Sequence, residues 1–108
     1  MPKYDGTEGA PIELAQAAKW TKNFREKIKD AEESEKIKAH FFGRDILKKI
    51  LEQEDCMGIR MYYAKDDAGQ KQLILVGATA EGEDMVNGIV ADMSKVCPPD
   101  CVVSELND

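Results

Sequence analysis

Apolar residues recur at helical spacing in two stretches of the first half of the chain. The first stripe predicts an amphipathic helix that begins near Pro11, a favoured first helical position, and ends near residues 30–33. Trp20 and Arg25 lie at the edges of this stripe. A second stripe predicts a helix over about residues 44–54. The stripes consist of Leu14, Ala17, Ala18, Thr21, Phe24 and Ile28, and then Ile46, Leu47, Ile50 and Leu51.

The segment between the two helices has a weaker pattern. Ser34 is a suitable helix cap, and apolar residues follow at Ile37, Phe41 and Phe42. This pattern predicts that helix begins again near residue 35. Gly43 would then lie inside or at a bend of the second helix, where glycine costs about 1 kcal/mol.

After Cys56 the pattern changes to alternation, which is typical of strands. The sequence predicts a hairpin of strands 57–64 and 72–79, joined by a turn at residues 66–69 that contains Asp and Gly. The second strand is apolar on both faces, so it is expected to be central and covered on each side. Residues 85–93 mix helical spacing with Asn87-Gly88, and they are expected to form a short strand or irregular segment that completes the sheet.

These elements predict an α+β fold in which two amphipathic helices pack on a small antiparallel sheet with a possible third strand. A chain of 108 residues is the size of one domain. Residues 1–9 hold two glycines and few apolar side chains, so they are expected to form a flexible N-terminal arm. Residues 10–108 then form a single α+β domain.

The net charge of −6 argues against general nucleic-acid binding. Charge is divided along the chain, with +4 over residues 19–49 and −8 over residues 50–108. The two regions are expected to attract each other within the fold, or else between subunits of a homodimer. The polar N-terminus and the lack of a long apolar stretch predict a cytoplasmic protein that does not bind membranes.

The three cysteines, Cys56, Cys97 and Cys101, are an odd number and fit reduced thiols better than a disulfide framework. With His40 they are the right residue types for a zinc site, although the C-x3-C spacing is unusual. An extended Pro98-Pro99 run would hold the Cα atoms of Cys97 and Cys101 about 12 Å apart, too far for a disulfide or for shared zinc ligation. Only a turn or a cis proline would bring them together. The sequence therefore predicts no cofactor. The alternative is a zinc ion bound by these cysteines and His40.

Three further residues are candidates for ligand binding. Arg60 and Tyr62 share one strand face, where an arginine beside a tyrosine could bind a carboxylate or phosphate. The alternative is that Arg60 neutralises the acidic second half while Tyr62 covers the sheet. His40, the single histidine, could act as a base, or it could be a packing residue beside two phenylalanines.

Five short stretches form a recognisable pattern, namely residues 41–45, 50–51, 56–63, 73–77 and 97–101. Together they resemble a family of small uncharacterised bacterial proteins with a helix–hairpin core and a C-terminal C-P-P-x-C segment. The resemblance spans roughly residues 35–101, and it implies a bacterial source but no activity, ligand or catalytic residue.

No nucleophile motif, zinc-protease motif or glycine-rich phosphate loop is present in the sequence. The leading hypothesis is therefore a small non-catalytic interaction or structural domain that binds a protein partner or itself. The alternatives are a cysteine-dependent metal-binding or redox protein, and a ligand binder or enzyme that uses Arg60 and Tyr62.

Overall fold

The computed structural model describes residues 2–107, which fold as an α+β domain with two helices and two small antiparallel sheets. Helix α1 spans Leu14–Ile28 and helix α2 spans Arg44–Leu51. The strands are β1 (Ala39–Phe41), β2 (Gly58–Lys65), β3 (Lys71–Ala78), β4 (Val90–Ala91) and β5 (Lys95–Cys97). The predicted fold class is thus confirmed. No helix within residues 2–107 is both long and apolar enough to span a membrane.

The larger sheet has the strand order β2-β3-β4, with β3 in the centre. In the hairpin, Gly58 lies opposite Ala78 and Lys65 opposite Lys71. The turn between the strands is held by Asp66, whose carboxylate accepts the backbone N–H groups of Ala68 and Gln70. The predicted hairpin and its turn are both confirmed.

Strand β4 pairs with β3 through Leu75–Ala91 and Val76–Val90, so residues 85–93 do complete the sheet with a short strand. This pairing covers the free edge of β3 that the hairpin leaves open. Leu75, Val76 and Ala78 are buried, as expected for a central strand covered on both faces.

The core lies between α2 and the hairpin. Ile50 of α2 and Leu75 of β3 are both fully buried. Gln53, just after α2, fixes the following loop, because its side chain donates to the carbonyl of Ile50 (2.9 Å) and accepts the N–H of Ile89 (2.8 Å). Helix α1, by contrast, has no buried residue.

The prediction that helix begins again near residue 35 is wrong. A short 3₁₀ turn over Glu33–Glu35 is followed by strand β1, which pairs with β5 in a second sheet. Lys38 extends this pairing by donating its N–H to the carbonyl of Cys97 (2.7 Å). Tertiary hydrogen bonds here outweigh a weak helical pattern. Gly43 consequently precedes α2 at its N-cap.

Candidate functional site

Arg60 and Tyr62 lie together on β2, as predicted, but their carboxylate partner comes from the same chain. Arg60 donates to a carboxylate oxygen of Asp84, to the carbonyl of Gly82 (3.2 Å) and to the hydroxyl of Tyr4 (2.6 Å). Tyr62 donates its hydroxyl hydrogen to the other oxygen of Asp84. The guanidinium also lies 5.4 Å from the centroid of the Tyr4 ring, within range of a cation–π contact.

The electrostatics of this cluster are those of an internal ion pair. The hydrogen bonds from Tyr62 and then from Arg60 hold the pKa of Asp84 below its usual value. The hydrogen bond to Asp84 raises the pKa of Tyr62, and bonds to Asp84 and Tyr4 raise the pKa of Arg60. Because Arg60 bonds to both Asp84 and Tyr4, the cluster connects β2 with the loop before β4 and with the N-terminal segment.

Sequence reasoning missed Asp84 and Tyr4. Asp84 follows Gly82 and Glu83 in a polar stretch that is typical of a solvated turn, and Tyr4 lies in a segment with almost no other apolar residue. The contacts join residues 24 and 56 positions apart, and no periodic signal spans such separations.

His40 lies on β1, away from the Arg60 cluster in the fold. Its Nδ1 is 2.9 Å from the hydroxyl of Ser94, and its neighbour across the sheet is Val96. Partial burial lowers the pKa of His40, which favours the neutral imidazole. His40 lies in the smaller sheet with Ser94 as its side-chain partner, whereas Arg60 and Tyr62 lie on β2 of the larger sheet.

Cys97 and Cys101 form a disulfide, so the expectation of reduced thiols is wrong for this pair. The peptide bonds before Pro98 and Pro99 are both cis, and the Cα atoms of the two cysteines are 4.9 Å apart. The polyproline geometry that argued against a bond is therefore not the one adopted. Cys56 is a free thiol, and it donates to the carbonyl of Gly58 (3.2 Å).

The four candidate zinc ligands are not brought together. Cys97 and Cys101 use their sulfurs in the disulfide, while Cys56 packs against Gly77 of β3. Within residues 2–107, no group of three or more His, Cys, Asp or Glu side chains is arranged to hold a metal ion.

A concave surface runs between α1, β1 and the C-terminal segment, and we call it the α1 groove. Its volume is about 770 Å³. Apolar side chains form most of it, and three of them are more than half exposed, namely Trp20 (57%), Phe41 (67%) and Val102 (73%). Phe24 of α1 and Leu106 of the C-terminal segment also line it.

The charged residues of the α1 groove are mainly basic. Arg25, Lys38 and Lys95 line it, against a single carboxylate from Asp100. None of the three cations forms a salt bridge with a carboxylate of residues 2–107. Arg25 donates instead to the carbonyl of Leu106 (2.6 Å), which ties the C-terminal segment to α1.

Fold and site together define a small α+β domain with an apolar, basic-rimmed groove beside a disulfide. Comparison of the chain with protein-family models, with curated proteins and with solved structures finds no match.

Proposed function

We propose that this chain is a small interaction domain that binds a polypeptide segment in the α1 groove. The observation that carries the proposal is that α1 exposes an aromatic face without burying any residue. Contiguous apolar surface on a small domain is typical of a protein-binding site. Tryptophan and arginine, which are both present here, are enriched among residues that dominate binding energy.

The charge of the groove indicates the chemistry of its occupant. Arg25 of helix α1 lines the groove, although the whole chain carries −6. Lys38 and Lys95 add positive charge on the opposite wall. The occupant that best complements this surface is an acidic segment with one or two large apolar side chains, which would occupy the space beside Trp20 and Phe41.

The domain has structural features that suit a binding role. Core residues such as Ile50 and Leu75 lie between α2 and the hairpin, apart from the groove. An interface on one side of such a core can engage a partner with little change in the rest of the domain. A cytoplasmic location is part of this proposal.

Selection of random displayed peptides on the full chain tests the proposal. We expect enriched peptides to be acidic with aromatic or aliphatic anchors, and to shift the emission of Trp20, the only tryptophan, to shorter wavelength. Charge reversal in a Lys38→Glu/Lys95→Glu variant should weaken binding at least about tenfold, or about 1.4 kcal/mol.

The matched control is Lys48→Glu/Lys49→Glu, which makes the same charge change on exposed positions of α2. Peptides that bind both variants equally, or that leave Trp20 emission unchanged, would show that the groove is not the binding site. A second copy of the chain is the competing occupant, because residues 50–108 carry −8. If sedimentation shows a dimer that the Lys38→Glu/Lys95→Glu change dissociates, the groove binds a second copy of the chain and not a peptide.

A further inference from the structure

The two sulfurs of the disulfide lie in unequal surroundings. Cys97 ends strand β5 and is only 4% exposed. Its carbonyl accepts the N–H of Lys38, and its sulfur is 3.7 Å from the side-chain nitrogen of Asn107. Cys101 follows the strand in the C-terminal segment and is exposed. An incoming thiol can therefore approach Cys101 but not Cys97.

The structural contribution of this disulfide is smaller than that of a disulfide between distant residues. It closes a loop between residues four positions apart, and loop-closure entropy gives about 2 kcal/mol for so short a loop, against about 3 kcal/mol for a loop of about 15 residues. The same loop is already closed by a backbone hydrogen bond from Asp100 to the carbonyl of Val96 (2.9 Å). In the cytoplasmic location proposed above, disulfides are usually transient and serve exchange or redox sensing.

The disulfide also lies in a surface suited to thiol chemistry. Both cysteines line the α1 groove together with Arg25, Lys38 and Lys95. Nearby cations favour thiolates over thiols, which promotes both the attacking and the departing sulfur. The apolar side chains of Trp20 and Phe41 provide a place for the polypeptide that carries the thiol.

We propose that Cys97–Cys101 is a thiol–disulfide exchange site that oxidises a pair of cysteines on a polypeptide held in the α1 groove. This rests on the proposed function for the binding of its substrate and goes beyond it in the chemistry. The exchange is stoichiometric, since each molecule accepts one electron pair.

The exchange begins when a thiol of the bound polypeptide loses its proton to water and the resulting thiolate attacks the sulfur of Cys101, forming a new S–S bond while the Cys97–Cys101 bond breaks. The electron pair of the broken bond goes to Cys97, which departs as a thiolate beside the Asn107 amide and takes a proton from water. The second cysteine of the polypeptide likewise loses its proton to water, and its thiolate attacks the polypeptide's own sulfur in the mixed disulfide. Cys101 then leaves as a thiolate and takes a proton from water. The polypeptide gains a disulfide, and the Cys97/Cys101 pair gains two electrons and two protons.

Mapping the mixed disulfide tests the inference directly. The full chain, with Cys56→Ala to remove the third thiol, is treated under native conditions with a peptide that holds one cysteine. We expect mass spectrometry to find the peptide on Cys101. In the same background, Cys97→Ser should leave a thiol that exchanges with the disulfide form of the peptide at least about tenfold faster than the thiol left by Cys101→Ser, because burial shields Cys97.

Equal rates, a peptide found on Cys97, or a disulfide that reacts only in denaturant would each overturn the proposal. Circular dichroism of each variant verifies that the fold is retained, and mapping on the Cys56→Ala chain requires no change to the pair itself.

A matched pair of peptides separates this inference from the proposed function. One has acidic and apolar residues around its cysteine, and the other has serine and glycine there. We expect faster exchange with the first peptide, and Trp20→Ser should remove the difference. Exchange at Cys101 at equal rates with the two peptides would refute peptide binding in the α1 groove but would still support the exchange site. Binding of the first peptide without formation of a mixed disulfide would refute the exchange site but would still support peptide binding in the α1 groove.

Discussion

Substituting Gly77 with alanine would test whether close packing requires glycine near the C-terminal end of β3. An added Cβ at this position would lie 3.0 Å from the sulfur of Cys56, 3.0 Å from the side-chain nitrogen of Gln53 and 3.1 Å from the sulfur of Met85. Carbon atoms pack comfortably at about 3.5–4.0 Å. Each neighbour must therefore move by several tenths of an ångström.

The neighbours are not free to move. Gln53 is held by hydrogen bonds to Ile50 and Ile89, and Cys56 donates to the carbonyl of Gly58. Overpacking of this kind costs about 1–3 kcal/mol. The loss of unfolded-state freedom on replacing glycine offsets about 0.4–1 kcal/mol of it. We expect Gly77→Ala to lower the free energy of unfolding by about 1–2 kcal/mol.

Urea denaturation monitored by circular dichroism measures this change. With a slope of about 1–3 kcal/mol/M, the midpoint should fall by on the order of 1 M while the slope stays constant. Gly58→Ala is the matched control, because it also lies in the hairpin but has nothing within 4 Å of its added Cβ. We expect it to be neutral or stabilising by up to about 1 kcal/mol. A Gly77→Ala protein as stable as Gly58→Ala would refute the packing argument.

Three other substitutions probe the core, the loop before β4 and the Arg60 cluster. Ile50→Ala should lower the free energy of unfolding by about 2–5 kcal/mol in the same urea assay, because the side chain is fully buried; a loss below 1 kcal/mol would contradict this. Gln53→Ala removes the acceptor of the Ile89 amide, so hydrogen exchange at that amide should accelerate while exchange in β2 stays unchanged. Hydrogen bonds from Tyr62 and Arg60 hold the folded-state pKa of Asp84 below its usual value, so its carboxylate stabilises the fold above the unfolded-state pKa, and the contribution is lost as pH falls through the folded-state pKa. Asp84→Asn should therefore be less stable than the parent at neutral pH, with the difference disappearing in acid; a constant difference across pH would refute the ionic origin.

The parts of the fold that the sequence predicts are those encoded by local periodicity. The stripe through Ile46 and Ile50 marks α2, and the alternation after Cys56 marks β2. The apolar run of β3 indicates a strand covered on both faces, and Leu75, Val76 and Ala78 are buried as that run predicts. In α2 and β3 the residues that create the pattern include the fully buried Ile50 and Leu75, whereas Met61 and Tyr63 create the alternation of β2 and remain exposed.

The parts that were missed depend on pairing between distant segments. Strand β1 forms because β5, more than fifty residues away, offers hydrogen-bonding partners, and the local pattern around Ile37 resembles helix. The carboxylate that binds Arg60 likewise arrives from another loop. The disulfide joins Cα atoms that lie 4.9 Å apart, whereas an extended Pro98-Pro99 run would hold them about 12 Å apart, and the spacing of the two cysteines does not predict the turn between them.

The position of the core makes the binding and exchange tests interpretable. Trp20, Lys38 and Lys95 are all exposed, and α1 buries no side chain, so their substitution removes little buried apolar area. Since stability scales with the apolar area that folding buries, variants at these positions should unfold at nearly the parent's urea midpoint. A loss of binding in them then reflects the groove itself. If Trp20→Ser instead lowered stability as much as Ile50→Ala, α1 would be part of the core, and its exposed face would not be a binding surface.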